Sequence, residues 1–373
     1  MKPISAKNTK TPLAIEKKIH GLLKAVGSDD RAEIAVTIFR ELWDVANLRS
    51  PDQIPRWSGI TDDSTPIELS VQFSPTAAAV RLLLEPQADP ASPETYWEAG
   101  ATLTRWLASR WNARINTALG IERLFKPTNS AGVYLAMGHA VEFRRKSPVF
   151  KVYYNAMAQG PSRSRQIVGK ALSRLGFQKY WRSFEALLGP LDRVELLALN
   201  LTKSMRVKVY FRPLQASLDR IADLYAISEN AAAGDVERMW KAIHGKAKCE
   251  EMRPVFLTYE LTDTTSNRPS KTALSIPLFP GLANDAVVTR RVSQLMQSYD
   301  ISPVTYRRCV KELADRPLAE EKGLHSYVSL QRTGPNVAIV AYFNPRFYYK
   351  KYGWIARDPV CTWPSGVVSS PRK

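Results

Sequence analysis

The sequence has few of the residues that form disulfide frameworks or metal sites. Its three cysteines, Cys249, Cys309 and Cys361, are widely spaced and fit neither a disulfide framework nor a zinc pattern. Its 4 histidines lack the paired spacing of a catalytic zinc site. We therefore expect reduced thiols and no metal.

Long apolar runs and nucleotide-binding loops are also missing. No run of about 18 apolar residues occurs, which argues against a membrane span. The first residues, MKPISAKNTK, lack the apolar stretch of a secretory signal. Neither a G-x-x-x-x-G-K-S/T loop nor a G-x-G-x-x-G turn after a strand is present. We expect a cytoplasmic protein with no membrane partner and no nucleotide-binding loop.

Acidic residues are outnumbered, since 35 Asp and Glu stand against 53 Lys and Arg. The formal net charge is +18 and the pI is near 9.8. An excess of this size indicates a polyanionic partner, which is nucleic acid, a membrane surface or a small phosphorylated substrate. Charge alone does not choose among the three.

Five pairs of strands are predicted from runs of β-branched, aliphatic and aromatic residues, and the second strand of each pair runs into proline. Helical patterns separate the pairs, the clearest from Pro93 to Leu119, and others precede the first pair at about 13–25 and 31–47. The predicted strands are 67–73 and 80–86, 132–143 and 150–161, 194–201 and 206–213, 255–261 and 272–280, and 324–330 and 337–345. The other predicted helices are 162–175, 214–227, 234–244, 285–299 and 303–314.

No linker or low-complexity tract divides the chain. We therefore expect one domain over residues 1–373, with N-terminal helices in 1–60 and a C-terminal tail in 346–373. A repeat of strand, strand and helix predicts an α+β fold in which ten antiparallel strands close into a barrel.

The alternation of side chains indicates which face of each strand points into the barrel. In the strand RVKVYF, Arg206, Lys208 and Tyr210 share one face because successive side chains point to opposite sides. The apolar faces need a ring of amphipathic helices to cover them. The polar faces then line a solvent-accessible lumen.

Four cations on these polar faces, Arg81, Lys151, Arg206 and Lys208, predict an anion-binding chamber. An organic diphosphate fits such a cluster. No D-D-x-x-D motif is present to bring magnesium to it. We therefore expect the protein's own cations to clamp the diphosphate, with no magnesium cofactor.

Four tyrosines accompany the cations: Tyr153, Tyr210, Tyr327 and Tyr342. A phenol can donate a hydrogen bond to a diphosphate, and its π face can shield a carbocation from water. Cations for a leaving diphosphate and π faces for an allyl cation together indicate prenyl transfer.

The sequence resembles the dimethylallyltryptophan synthase superfamily of aromatic prenyltransferases, and most closely its bacterial indole-prenylating members. The resemblance covers about residues 60 to 345 and implies a ten-stranded barrel ringed by helices. It is carried by TPIELSVQF (65–73), VRLLLEP (80–86), KVYYNAMAQG (151–160), RVKVYF (206–211), TDTTSNRPSKTALSIP (262–277), HSYVSLQ (325–331) and VAYFNP (340–345).

The resemblance implies that Glu68 accepts the indole N–H of tryptophan or of a tryptophan-derived acceptor. It also implies a Friedel–Crafts-type transfer from dimethylallyl diphosphate, without a metal. The expected partners are these two small molecules, and the expected assembly is a monomer or a homodimer. The implied diphosphate-binding residues are Arg81, Lys151, Tyr153, Arg206, Lys208, Tyr210 and Tyr342.

The sequence departs from the fungal pattern at several site positions. Arg144 stands where fungal relatives have a lysine as a base, and an arginine does not give up its proton. Deprotonation then falls to Glu68, His139, a water or the departing diphosphate. Ser275 and Ala338, which join Tyr327 in the expected acceptor pocket, stand where fungal enzymes have tyrosines.

Alternatives to this interpretation differ in acceptor, donor or class. A phenolic or naphthalene acceptor and a geranyl diphosphate donor are the nearer ones, although Glu68 favours an acceptor with an N–H. A basic nucleic-acid-binding barrel is the more distant one, and it would need outward-facing cations and aromatic residues. The alternation argues against it.

Overall fold

Ten antiparallel β-strands close into a barrel within the part of the chain that the computed structural model describes. The described residues are 13–346 apart from 50–52, 54–55, 57, 63, 129–134, 145–146, 229 and 334–335. Each strand pairs with its neighbours along the chain, and β1 closes the barrel by pairing with β10. The strands are β1 (Ile67–Phe73), β2 (Ala78–Leu84), β3 (Met137–Glu142), β4 (Val149–Asn155), β5 (Arg193–Asn200), β6 (Val207–Arg212), β7 (Phe256–Leu261), β8 (Lys271–Pro277), β9 (His325–Thr333) and β10 (Asn336–Phe343).

The described ranges also contain ten α-helices, which pack on the outside of the barrel. None of these helices is long and apolar enough to cross a membrane. Four short 3₁₀ turns complete the elements, at Asp29–Arg31, Arg123–Phe125, Pro161–Arg163 and Cys249–Glu251. The helices are α1 (Leu13–Ala25), α2 (Ala32–Val45), α3 (Pro93–Trp111), α4 (Asn116–Glu122), α5 (Ser164–Arg174), α6 (Gln178–Glu185), α7 (Leu218–Tyr225), α8 (Asp235–His244), α9 (Asp285–Gln297) and α10 (Val304–Leu313).

The hydrophobic core lies between the barrel and the helices, so the predicted fold class and the direction of its faces are confirmed. Phe73 of β1 packs edge-on against Tyr306 of α10, with ring centroids 5.8 Å apart. Phe211 of β6 packs against Phe184 of α6, with centroids 5.1 Å apart. Such apolar outer faces leave the alternate polar side chains inside the barrel.

One helix prediction was wrong, and one helix was missed. The predicted helix from Pro93 to Leu119 is divided, because Asn112 takes a left-handed φ of 54° and ends α3. Helix α6 was not predicted, although it buries Phe184 against the barrel.

Parts of the predicted organisation lie outside the described residues. These are residues 1–12 of the N-terminal region, the tail beyond Arg346, and Cys361. Cys249 and Cys309 are free thiols, as expected. The single domain over 1–373 stays a prediction.

Helix α3 approaches the barrel closely through a glycine. Its start is fixed by a capping box, in which the Oγ of Ser92 accepts the N–H of Thr95 at 3.1 Å and Thr95 Oγ1 accepts the N–H of Ser92 at 3.1 Å. A Cβ at Gly100 would lie 2.7 Å from Sδ and 2.8 Å from Cβ of Met137 in β3. The absence of a side chain at Gly100 therefore sets how near this helix sits to β3.

Gly100→Ala should destabilise the fold by about 1–3 kcal/mol, because Met137 has to move. Gly120→Ala is the matched control, since a Cβ at Gly120 in α4 would meet no described heavy atom within 4 Å. The control should be neutral or more stable by up to about 1 kcal/mol, as expected for alanine in a helix. Urea unfolding followed by circular dichroism measures both. Equal stability of the two variants would contradict the close approach.

Candidate active site

The lumen forms a deep pocket of about 1290 Å³, including its opening to solvent, and all ten strands contribute to its wall. Lys208, Tyr210 and Arg212 follow one another at alternate positions of β6 and so mark three levels along the lumen. We name these the cation level, the tyrosine level, with Tyr153, Tyr210 and Tyr342, and the mixed-charge level, with Arg212 and Glu195, Arg253 and Asp62, and Tyr327. The cation level consists of Arg81, Lys151, Arg206, Lys208 and Lys271, together with Glu142 and Glu260.

Glu260 of β7 forms salt bridges with three of the five cations of the cation level. Its carboxylate lies 2.8 Å from Nη2 of Arg206, 3.4 Å from Nζ of Lys208 and 4.0 Å from Nζ of Lys271. Burial alone would raise the pKa of Glu260, but the charges of Lys208 and Arg206 outweigh it and lower the pKa to about 2. Glu260 is therefore ionised and fixes three cations around one point.

Glu142 of β3 forms salt bridges with the other two cations of the level, Arg81 and Lys151. Its carboxylate accepts Nε–H of Arg81 at 3.0 Å and Nε–H of Arg144 at 2.5 Å, and Nζ of Lys151 lies 4.0 Å away. Here too burial is outweighed, first by the charge of Arg81 and then by that of Lys151, and the pKa of Glu142 is about 2. Arg144, the position of the base in fungal relatives, is exposed and lies at the rim in this salt bridge.

The two carboxylates do not neutralise the five cations. Burial and the excess of positive charge both lower the pKa values of the lysines in this level. Burial lowers the pKa of Lys151 well below its usual value, and the charges of Arg81 and Lys208 lower it further. Burial also lowers the pKa of Lys208 to about 8. An anion placed among these groups would relieve the repulsion and restore their charge. The cation level is therefore suited to hold an anionic ligand.

The tyrosine level lies next to the cations. The rings of Tyr153 on β4 and Tyr210 on β6 have centroids 5.9 Å apart at an interplanar angle of 49°. Tyr342 of β10 faces the same lumen. Burial raises the pKa of Tyr210 well above its usual value and that of Tyr342 to about 12, so these phenols stay neutral. Neutral phenol rings can attract a cation through their π faces.

Glu68 of β1 faces the lumen beside the mixed-charge level. Ser326 Oγ lies at the limit of hydrogen-bond distance, 3.5 Å from Oε2 of Glu68. Burial raises the pKa of Glu68 to about 8, with a further contribution from the charge of Asp62. A carboxyl with this pKa can both accept a proton and release it near neutrality.

The arginines of the mixed-charge level are each paired with a carboxylate. Arg212 Nε–H donates to Glu195 at 3.0 Å, and its guanidinium lies over the ring of Phe256 at 3.5 Å from the centroid. Arg253 Nη1 lies 3.1 Å from Oδ1 of Asp62. This level therefore carries opposite charges side by side, unlike the cation level.

Most of the predicted site residues line the lumen, while their chemical roles stay predictions. Ser275 lies there with its Oγ hydrogen-bonded to that of Ser329. Tyr327 belongs to the mixed-charge level, where its hydroxyl accepts a hydrogen bond from Arg212 at 3.3 Å. The lining residues among those predicted are Glu68, Arg81, Lys151, Tyr153, Lys208, Tyr210, Ser275, Tyr327 and Tyr342.

His139 was wrongly predicted to share the chamber. Its side chain lies on the outer face of β3, where Nε2 is 2.8 Å from Oγ1 of Thr104 in α3. Burial among apolar side chains lowers the pKa of His139 to about 3. A neutral imidazole on the far side of the barrel wall cannot reach a substrate in the lumen.

Two other predicted residues lie at the border of the pocket. Arg206 immediately precedes β6 and reaches the cation level through Glu260. Ala338 lies on the same face of β10 as Tyr342 but outside the residues that line the pocket. It pairs with Gln331 of β9, which does line the pocket, and its assignment to the acceptor pocket stays a prediction.

Sequence reasoning also missed several lumen residues. Lys271 lies four residues before Ser275 on β8, and Arg212 lies two residues after Tyr210 on β6. Alternation along a strand therefore places both on the lumen face, and it could have predicted them. Glu260 faces Lys208 across β7 and β6. Arg253 comes from the segment before β7, where no periodicity marks it.

A closed barrel with a cationic, tyrosine-lined lumen defines the class of barrel-fold aromatic prenyltransferases. Residues 38–309 match the family model of tryptophan dimethylallyltransferase. The chain belongs to this family, and it is an aromatic prenyltransferase.

Solved structures show the same fold over nearly the whole length. The chain is 27% identical to the 5-dimethylallyltryptophan synthase from Streptomyces coelicolor, with 90% of this chain and 97% of that one covered and a TM-score of 0.80. It is 24% identical to the 6-dimethylallyltryptophan synthase from Micromonospora olivasterospora, with coverage of 90% and 97% and a TM-score of 0.81. The prenyltransferase PriB, also 24% identical, has coverage of 90% and 96% and a TM-score of 0.82.

The cation level should bind an organic diphosphate less tightly as the pH rises through about 8. Lys208 carries its charge below its pKa and loses it above. Lys208→Arg should move this loss to higher pH, because a guanidinium stays protonated. Calorimetric titration of both proteins with dimethylallyl thiolodiphosphate, at pH values on both sides of 8, measures the effect. Identical pH profiles for the two proteins would exclude Lys208 from the anion site.

Proposed function

We propose that the protein transfers a dimethylallyl group from dimethylallyl diphosphate to the indole ring of tryptophan or of a tryptophan-derived metabolite. The observation that carries this proposal is the order of the three levels: an anion site, neutral aromatic rings, and a carboxyl of raised pKa. A structure of the 5-dimethylallyltryptophan synthase from Streptomyces coelicolor contains a dimethylallyl diphosphate analogue and tryptophan.

The cation level provides the donor site. The cations of this level outnumber its two carboxylates, and an organic diphosphate would supply the negative charge that they lack. When the allylic C–O bond breaks, its electron pair leaves with the diphosphate, and the negative charge on the leaving group grows. Fixed cations stabilise this growing charge more than the ground state, so they lower the barrier to ionisation. The same cations perform the task of a metal, and we propose that no magnesium is needed.

The tyrosine level receives the allyl cation. Tyr153, Tyr210 and Tyr342 present π faces that attract a cation and keep water from it. The carbocation therefore survives until the indole ring attacks and the new carbon–carbon bond forms. This placement also argues against the nucleic-acid alternative, which needs stacking rings on an outer surface.

Glu68 holds the acceptor. Its carboxylate accepts the indole N–H, which orients the ring and increases its electron density as positive charge develops on it. The arenium ion then loses a proton from the alkylated carbon. With His139 outside the lumen, the proton acceptors that remain of those considered are Glu68, a water and the departing diphosphate.

Incubation with dimethylallyl diphosphate and tryptophan, or tryptophan derivatives such as cyclic dipeptides, should give an indole that carries one dimethylallyl group. Mass spectrometry detects the product and NMR locates the new bond. The rate should be the same in excess EDTA as in added magnesium. Strict loss of turnover in EDTA would contradict the metal-free mechanism, and release of diphosphate without an alkylated indole would contradict the assigned acceptor.

Glu68→Gln should lower kcat by about 10²-fold or more, because a neutral amide oxygen accepts the indole N–H more weakly than a carboxylate does and cannot take up a proton. The affinity for dimethylallyl thiolodiphosphate should not change, since Glu68 lies outside the cation level. Steady-state kinetics and calorimetry measure the two effects separately. A variant with unchanged kcat would remove Glu68 from the reaction.

A further inference from the structure

Two short segments outside the strands contribute to the wall of the lumen. One precedes β1 and contributes Gly59 and Ile60, and the other precedes β3 and contributes Leu135. Neither segment belongs to the sheet, so strand pairing does not set the position of its backbone. The shape of the lumen at these residues therefore depends on other contacts.

Glu85 directly follows β2 and bonds to both segments. Its side chain is fully buried. Oε2 accepts the Oγ–H of Ser58 at 2.7 Å and the N–H of Gly59 at 3.4 Å, and Oε1 accepts the N–H of Ala136 at 2.9 Å. The carboxylate is an acceptor in all three bonds, which suits its ionised form. One side chain therefore sets the distance between the two segments.

Ser58 extends the influence of Glu85 to Ile60. While its Oγ donates to the carboxylate, the same oxygen accepts the N–H of Ile60 at 3.3 Å. Ser58 is buried, and a hydrogen bond left unmade in such a place costs more than one left unmade in water. The backbone of a lumen-lining residue is therefore fixed through one hydroxyl group.

The ends of the segment before β1 have anchors of their own. Arg56 donates from Nη1 to the carbonyl of Asn47 at 2.7 Å, and Asp62 lies 3.1 Å from Nη1 of Arg253. Loss of the contacts with Glu85 would therefore loosen the middle of the segment without releasing it from the protein.

Leu83 and Leu135 are neighbours in the lumen, close to Glu68. Leu83 of β2 stands directly opposite Glu68 in the register of β1 and β2. A Cβ placed on Gly138 would lie 3.3 Å from Cδ1 of Leu83 and 3.7 Å from Cδ2 of Leu135. The same Cβ would lie 3.5 Å from Cβ of Tyr153. The two leucines therefore adjoin both the carboxyl group that is to accept the indole N–H and a ring of the tyrosine level.

We call Ile60, Leu83 and Leu135 the apolar wall, and Glu85 itself does not line the lumen. One hydrogen bond to Glu68 fixes a single point of the indole ring and leaves the ring free to turn about it. A second contact, over the face of the ring, is needed to fix its plane. Apolar side chains provide such a contact for an aromatic ring.

We propose that Glu85 is a positioning residue for the acceptor. By fixing Ile60 and Leu135 of the apolar wall, it sets the orientation of the indole ring and so decides which ring carbon faces the allyl cation. The inference rests on the proposed function and adds to it the group that selects the position of alkylation. Glu85 acts through the wall and does not touch the reacting atoms.

Two variants test this role. Glu85→Gln replaces one acceptor oxygen by an NH₂ group, which cannot accept a hydrogen bond, so at least one segment is released. Ser58→Ala removes only the link to Ile60. In both variants the KM for L-tryptophan should rise about tenfold, and a second isomer, alkylated at another ring position, should join the wild-type product. Steady-state kinetics and NMR of the products measure these effects.

The affinity for dimethylallyl thiolodiphosphate, measured by calorimetry, should stay unchanged in both variants. The reason is that Glu142 and Glu260 arrange the cation level. A purely structural role of Glu85 would instead weaken the binding of donor and acceptor alike. The comparison of the two affinities therefore separates positioning from a general loosening of the barrel.

Glu122→Gln and Ser293→Ala are the matched controls. Glu122 is a buried carboxylate that pairs with Arg105 at 2.8 Å on the outside of the barrel. Ser293 is a buried serine of α9, and its Oγ has no hydrogen-bond partner in the described part of the chain. Both controls should keep the KM and the single isomer of the wild type.

Either lumen variant supports the role of Glu85 if it folds by circular dichroism, yields the second isomer and binds the donor as the wild type does. Folded variants that both keep the wild-type KM and isomer would overturn the role. An equal loss of donor and acceptor affinity would overturn it too. If Glu85→Gln does not fold, Ser58→Ala decides alone.

The same series separates this inference from the proposed function. If the wild type alkylates tryptophan or a cyclic tryptophan dipeptide and both variants match it, the inference fails and indole prenylation stands. If the wild type alkylates 1,3-dihydroxynaphthalene but no indole, the proposed function fails. The comparison of KM and isomers with that naphthol then still decides the role of Glu85.

Discussion

Repulsion among like charges is the constraint on which the lumen depends. Arg81, Lys151 and Lys208 share one enclosed space, where water screens them poorly. Glu142 and Glu260 reduce the repulsion enough for the barrel to fold around them. They do not remove it: burial is the largest cause of the lowered pKa values of Lys151 and Lys208, and the charge of Arg81 lowers both further. The folded protein is therefore prepared for an anion before one arrives.

The barrel can hold such a lumen because its stability comes from elsewhere. The hydrophobic core lies outside the strands, in contacts such as that of Phe73 with Tyr306 and that of Phe211 with Phe184. Side chains inside the barrel are thereby free to serve the chemistry, and a change at one of them disturbs the packing little. The close contact between α3 and β3 at Gly100 is also part of this outer core.

The fold and the cation level were predictable because both follow from apolar and polar side chains that alternate along the strands. In β6 every apolar residue faces the helices and every polar one faces the lumen, so Lys208 and Tyr210 were placed correctly. Strand β3 gives no such signal, because Gly138 and Ala140 on its inner face are as apolar as Met137 and Val141 on its outer face. His139 was therefore placed on the wrong side of the strand. Pairs made by loop residues, such as Arg253 with Asp62, depend on tertiary contacts and leave no pattern in the sequence.

The pairing of β1 with β10 also has a consequence for how the protein is made. Each other strand pairs with one that lies next to it along the chain, so most of the sheet can form as the ribosome delivers it. Strand β1 leaves the ribosome early and keeps one open edge until β10 follows. Glu68 lies on β1 and Tyr342 on β10, so these two lumen residues come together only when the barrel closes. The part of the wall that carries Lys151 and Lys208 is therefore complete in the nascent chain before the lumen is enclosed.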